Sequence, residues 1–244
     1  MNVAGRQASI IQRGKPLLIE FWDFCRPNSV RTLPYLQAWH ERYAQDGLRT
    51  VGVHSPGFAP ARDEDAVRAA VARLGIEYPV LIDRELELWR DYENQGWPAR
   101  YLFDGRARLF EYHYGEGGYQ ETELAIQELL GVEREPLQAL RPEDAPDAQL
   151  EPQTEDQPGA YTGPYEAGGV WAVLDGSGTV RVNATSTAGG AGDPPEPPVA
   201  TELTIAHPGA YRLIEHERHT AGVLALEIGP GVTCHATCFT PGLA

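Results

Sequence analysis

Leu17-Leu18-Ile19-Glu20-Phe21-Trp22-Asp23-Phe24-Cys25-Arg26-Pro27-Asn28-Ser29 couples a strand signal to a helix signal. Leu17 to Trp22 is a short, nearly continuous apolar run, the pattern of a central strand buried on both faces. From about Ser29 to Gln45 the spacing turns helical. Leu33, Leu36 and Tyr43 fall near one face, and Gly47 supplies a stop. Outward from this pair the alternation continues. Thr50 to His54 reads as a second strand. Asp63 to Leu74 reads as a helix, with Asp63 as cap, Ala66, Val67, Ala70, Val71 and Leu74 as its apolar stripe, and Gly75 at its end. Tyr78 to Ile82 is a short strand and Glu85 to Tyr92 a short helix. Ala99 to Phe103 and Arg108 to Tyr114 flank an Asp104-Gly105 turn, a hairpin signal. Tyr119 to Leu130 is an amphipathic helix closed by Gly131. The order β-α-β-α-β-α-β-β-α implies a mixed α/β sheet with helices on both faces, over residues 1–131.

Residues 132–165 change character. Val132 to Ala160 holds eight acids and two arginines, a balance of −6, with prolines throughout. This reads as a solvated acidic linker with one short helical turn near Leu137 to Leu140. Residues 166–244 carry strand-like segments at Val170 to Leu174, Thr179 to Val182, Thr201 to Ile205, Tyr211 to Glu215, Val223 to Ile228 and Thr233 to Phe239. Gly, Pro and Asp turns separate them, so a small antiparallel β-sandwich or jelly roll is expected. Ala184 to Ala200 is a Gly/Pro-rich loop too long for a tight hairpin.

The 244-residue chain carries 35 acidic and 20 basic side chains, a formal charge of −15. Such a balance argues against nucleic acid or an anionic membrane as the main partner. No window approaches the ~18 consecutive apolar residues of a membrane span, and the first residues lack the apolar stretch of a signal peptide. A cytoplasmic setting is therefore expected. Three cysteines make no disulfide framework and suit that setting.

Around Phe21-Trp22-Asp23-Phe24-Cys25-Arg26-Pro27-Asn28-Ser29 the first domain resembles thioredoxin-fold proteins of the TlpA/redoxin group. It is most similar to the soluble part of bacterial DipZ-type proteins. Arg31-Thr32-Leu33-Pro34-Tyr35-Leu36, Gly52-Val53-His54-Ser55-Pro56, Tyr78-Pro79-Val80-Leu81-Ile82-Asp83, Trp97-Pro98-Ala99 and Gly115-Glu116-Gly117-Gly118-Tyr119 extend the likeness over residues 17–130. The linker and β-domain resemble, more weakly, the carbohydrate-binding-like module that follows in those proteins. The resemblance puts Pro98 in the place of the family's cis-proline. It also implies a Cys-x-x-Cys pair at the start of the first long helix, with a nucleophile of lowered pKa and a resolving partner. Counting from Trp22 and back from Pro34 puts the first cysteine position at Arg26, and the second then falls at Ser29. Cys25 sits one residue upstream.

The motif therefore holds one thiol and cannot close an internal disulfide. The leading expectation is a protein that has lost the dithiol centre. It would bind a protein or peptide segment in the groove near Arg26, Ser29 and Pro98, with Trp97, His54 and Arg100 flanking. The rival is a single-cysteine thiol oxidoreductase or peroxidase with Cys25 as nucleophile and an external thiol reductant. A peroxiredoxin-type site resembles Pro-x-x-x-Thr-x-x-Cys, and Trp22 stands at the Thr position. A third reading gives the activity to the β-domain, binding a carbohydrate or a protein. Glu20 stands where such proteins carry a buried acid that moves the resolving thiol's proton. With Ser29 in that place, Glu20 is expected to bond Ser29 or a water, or to be exposed at a sheet end.

Cys234 and Cys238 lie four apart on a strand, ~13 Å along it, too far for a disulfide. Cys234, Ala236 and Cys238 are expected to share a core-facing side. His216-Glu217-Arg218-His219 beside Cys234-His235 has zinc-ligand residue types without a Cys-x-x-Cys pair, so the expectation is no metal. Trp171, Tyr161, Tyr165 and Tyr211 suit either a sugar-stacking platform or a core. Gly189-Gly190-Ala191-Gly192 lies in a Pro-rich loop, not between strand and helix. It is no phosphate cradle, and no cofactor is expected.

Overall fold

The computed structural model describes residues 2–4, 14–188 and 197–244. It divides into two units, Met1–Leu140 and Arg141–Ala244. In unit 1 the elements run β1 (Asn2–Ala4), β2 (Leu17–Trp22), α1 (Pro27–Tyr43), β3 (Arg49–His54), α2 (Glu64–Arg73), β4 (Val80–Ile82), α3 (Glu87–Asp91), β5 (Ala99–Phe103), β6 (Leu109–Tyr114) and α4 (Tyr119–Leu130). The sheet order is β1-β4-β3-β2-β5-β6. β2, β3 and β4 are parallel, because a helix returns the chain between them. β5 and β6 are antiparallel through the Asp104-Gly105 turn, and β1 adds an antiparallel edge beside β4. β1 has no counterpart in the sequence reading, since three residues carry no periodicity.

Helices cover both sheet faces, as expected. On one, Ile19, Phe21, Val53, Ala99 and Tyr101 form a buried cluster against Leu88, Trp89 and Tyr92. On the other, Leu18, Glu20 and Trp22 alternate with that set. Arg100, paired with Glu20 across the sheet, lies under Trp39 of α1 and Tyr119 of α4. Each large apolar side chain so buried contributes about 1.5–3 kcal/mol. α2 has the expected cap: the Asp63 carboxylate accepts from the Asp65 and Ala66 amides.

Residues 132–165 are divided between the units rather than forming one solvated connection. The Leu137 amide donates to Glu123 at 2.8 Å and the Leu140 amide to the Tyr35 hydroxyl at 2.8 Å, both within unit 1. No helical turn forms at Leu137 to Leu140; a 3-10 turn lies instead at Pro142–Asp144. The rest supplies β7 (Leu150–Glu151), β8 (Gln157–Pro158) and the start of β9 (Thr162–Gly176) in unit 2. Strands of two residues leave no pattern, which is why acid and proline content dominated the reading. Unit 1 holds 16 basic and 21 acidic residues, and unit 2 holds four and 14. Ten of the fifteen net negative charges thus belong to unit 2.

Unit 2 is all-β. It continues with β10 (Gly178–Ala188), β11 (Val199–Ile205), β12 (Gly209–Ile228), β13 (Val232–Thr240) and β14 (Gly242–Leu243). A six-strand antiparallel sheet has the order β11-β10-β12-β9-β13-β8, and β14 pairs with β7. Tyr211 to Glu215 and Val223 to Ile228, expected as separate strands, are two halves of β12. Between the Glu215–Gly169 and Thr220–Ala167 pairs, residues 216–219 bulge out opposite Gly168. Gly168 has no room for a side chain: a Cβ there would lie 2.4 Å from the Pro241 carbonyl oxygen. Across this point the core-facing side of β9 switches from Tyr165 and Ala167 to Val170, Ala172 and Leu174. The sheet folds over itself, since β9 touches β11, which a flat sheet would hold three strand spacings away, about 14 Å. Of the expected Ala184 to Ala200 loop, β10 and β11 take the ends, and residues 189–196, with the Gly189 to Gly192 run, lie outside the described residues.

Candidate functional site

The connection from β2 to α1 is organised by Asp23, which is wholly buried. Its Oδ1 accepts the Cys25 amide at 2.8 Å and its Oδ2 the Gly57 amide at 2.7 Å. Its own amide donates to Ser29 Oγ at 3.2 Å, and its carbonyl accepts the Arg26 amide at 3.0 Å. Four bonds to one residue fix the turn before the helix. Arg26 is the N-cap of α1, with extended backbone and no side-chain cap, and Pro27 fills the first helical turn. Ser29 is third in the helix and 1% exposed, with its hydroxyl committed to Asp23.

The Cys25 side chain is buried at 0% exposure. Solvent therefore does not reach the one thiol of the motif, and a nucleophile must be reached by its substrate. Arg26 points elsewhere. Its guanidinium stacks on Phe58 at 4.6 Å and on Trp97 at 4.7 Å. Trp97 stacks in turn on Trp89 at 4.0 Å and donates its indole N–H to the Ser55 carbonyl at 2.8 Å. The Trp97–Pro98 peptide bond is cis, and Pro98 is buried with its carbonyl accepting the Gly115 amide. Of the residues expected together, Arg26 and Trp97 are in contact, while the Ser29 hydroxyl turns to Asp23. His54, expected to flank a groove, does not line one. It is wholly buried behind Asp23, with Nε2 3.6 Å from Oδ1 and its ring stacked on Phe24.

Glu20 is neither exposed at a sheet end nor bonded to Ser29. It is 1% exposed, flanked in the sheet by Gly52 and Arg100, and its nearest charge is Arg100 Nε at 4.0 Å. Neither carboxylate oxygen accepts a hydrogen bond from the protein. Burial pushes its pKa up to about 8; Arg100 opposes that and Glu111 adds to it. Arg100 is turned away from the site, donating to the Gly117 carbonyl beneath Tyr119. Asp23, Gly57, Phe58 and Trp89 were not singled out from the sequence. Phe58 reaches the site from a loop and Trp89 from α3, far apart in the chain, and they leave no local motif. The acid at position 23, three residues before a helix-opening Arg-Pro, is the one signal that was readable.

The first unit has a thioredoxin-like fold. The parallel β2-β3-β4 core and the β5-β6 hairpin agree with the expected fold. No protein-family model matches the chain. It is similar to Protein DipZ of Mycobacterium tuberculosis, 36% identical over 148 residues, which cover 58% of this chain and 21% of that protein. The chain thus spans about a fifth of the length of that relative. It is also similar to Thiol-disulfide oxidoreductase YkuV of Bacillus subtilis, 28% identical over 116 residues, covering 48% of this chain and 78% of that one. Among solved structures, a thioredoxin-like protein in the oxidized form is 27% identical with a TM-score of 0.46, covering 53% of this chain and 93% of that one.

In unit 2 the expected constellations resolve into packing. The bulge at His235 separates the two cysteines by face. Cys234 packs against the core with Leu174, while Ala236 and Cys238 lie on the other side beside Val173 and Trp171. The shared face expected for Cys234, Ala236 and Cys238 is therefore broken. Among the described residues, no three His, Cys, Asp or Glu side chains could together hold a metal ion. His216 bonds the Tyr165 hydroxyl at 2.9 Å, His207 lies 3.0 Å from the Tyr211 hydroxyl, and His219 lies 3.9 Å from Glu166. Tyr165 and Trp171 are buried, Tyr161 packs edge-on against Phe239, and half-buried Tyr211 stacks on His207. No helix among the described residues is long and apolar enough to cross a membrane.

Proposed function

We propose that the thioredoxin-like domain has lost its dithiol centre and acts by binding an extended peptide segment at the surface formed by Arg26, Trp97 and Pro98. The observation that carries this reading is the pairing of a wholly buried Cys25 with Arg26 and Ser29 at the two helix-start positions that the resemblance assigns to cysteines. Pairing with a peptide main chain needs no thiol, so recognition can persist without redox chemistry. The buried Cys25 speaks against the single-cysteine oxidoreductase or peroxidase. A reducing, cytoplasmic setting belongs to the same reading and is supported by Cys25, Cys234 and Cys238 lying outside disulfides.

The test is insulin reduction by dithiothreitol. The protein should add nothing to the rate with dithiothreitol alone. The double variant Arg26→Cys/Ser29→Cys should accelerate it, because it restores a thiol pair at the start of the helix. Turnover by the unaltered chain that Cys25→Ser abolishes would overturn the proposal.

A further inference from the structure

The chemistry of Arg26 specifies what kind of peptide the surface takes, and this step rests on the peptide-binding reading above. Most inward-lying arginines of unit 1 have an acid. Arg31 meets Glu116 at 2.8 Å, Arg42 meets Glu123 at 3.4 Å, and Arg100 lies 4.0 Å from Glu20. Arg26 is half-buried between the faces of Phe58 and Trp97 and has no carboxylate within 4.0 Å among the described residues. Its Nε is shielded from solvent and donates to no protein group. Asp23 is close, but its two oxygens are engaged by the Cys25 and Gly57 amides.

Stacking on two rings removes the freedom of a long side chain and holds the planar fork in one orientation. A fixed, partly desolvated guanidinium not ion-paired to its neighbouring acid is poised for a carboxylate from outside, which it can meet with two parallel N–H···O bonds. Gly57 makes room for this. A Cβ at that position would lie 2.8 Å from Arg26 Nε and 3.1 Å from Nη2, so any larger residue displaces the fork. Beside it, no main-chain hydrogen bond among the described residues engages the Trp97 amide or carbonyl. Those two groups are available to an extended strand.

We infer that the site selects an extended peptide carrying an Asp or Glu side chain, which Arg26 captures as an ion pair. It replaces the covalent capture that a cysteine at this position performs in redox relatives. The net charge of unit 1 is only −5, so it does not strongly repel an acidic segment.

An array of capped hexapeptides of Val and Thr, each position in turn Glu, Gln or Lys, tests this with the full chain. The expected result is Glu peptides binding at least ~10-fold tighter than their Gln counterparts, the scale of a charge-assisted pair. Raised salt should narrow that ratio. Arg26→Met should abolish the preference, and Arg26→Lys should retain part of it. If Arg26→Met fails to fold, Gly57→Ala should lower the same ratio by displacing the guanidinium. Equal binding of Glu and Gln peptides would overturn the acidic selectivity and leave the peptide-binding reading standing. No binding by any peptide would overturn both.

Discussion

Replacing Glu20 with glutamine isolates the most perturbed acid near the site. The folded-state pKa of about 8 lies above the ordinary 4.5. Between these values the folded chain keeps a proton that the unfolded chain has released. Its contribution to stability is therefore complete below pH 4.5 and is lost as pH rises through about 8. Each pH unit in that window costs about 1.4 kcal/mol. The three units from 4.5 to 7.5 cost an upper value of about 4 kcal/mol. The amide introduced by Glu20→Gln keeps the shape of the neutral acid and cannot ionise, so the variant should be stabilised progressively over the same window. Urea unfolding at pH 5, 6, 7 and 8, followed by tryptophan fluorescence, reads this directly. Trp22, Trp39, Trp89 and Trp97 lie in unit 1 and only Trp171 in unit 2, so the signal reports mainly the relevant unit. A stability difference that stays constant with pH, or a Glu20→Gln protein less stable than the unaltered chain at pH 7.5, would refute the assignment of a raised pKa.

Thiol labelling should follow burial. In the native protein a colorimetric disulfide reagent should react with partly buried Cys234 well before Cys25 and Cys238, and urea should bring the count to three. Glu123→Ala should destabilise unit 1 by roughly 3–5 kcal/mol in urea unfolding. It strands the Trp39 indole, the Tyr43 hydroxyl, the Leu137 amide and Arg42, all of which use that buried carboxylate. Gly168→Ala should cost unit 2 roughly 1–3 kcal/mol, since the added carbon meets the main chain of Pro241 and Gly242; a calorimetric midpoint equal to that of the unaltered chain would contradict the packing described.

Most of unit 1 was legible because its elements are periodic. Leu17–Trp22 and Tyr119–Leu130 appear with the expected ends, and Asp63 caps where the pattern placed it. Burial of Glu20 was half readable. Its place in an apolar strand indicated an interior position, but its partner Arg100 comes from a strand 80 positions later, and no local pattern announces that pairing. The same holds for Phe58 and Trp89 around Arg26. In unit 2 the polar run His216-Glu217-Arg218-His219 lies between segments that read as separate strands, although the chain passes it as a bulge in one strand. Short-range sequence cannot distinguish an interruption that reverses the chain from one that only bends it, because both need solvent-loving residues.

The pairing of β7 with β14 bears on the order in which the protein assembles. Leu150 meets Leu243 across more than ninety residues, and β8 meets β13 across nearly as many. Unit 2 thus depends on contacts between its earliest and latest segments, and such topologies gain native contacts only after long loops have closed. Unit 1 ends at Leu140. During synthesis it can complete its core while the β-unit is still a growing, strongly acidic chain, and the surplus negative charge on that waiting segment keeps it solvated and discourages premature collapse or association.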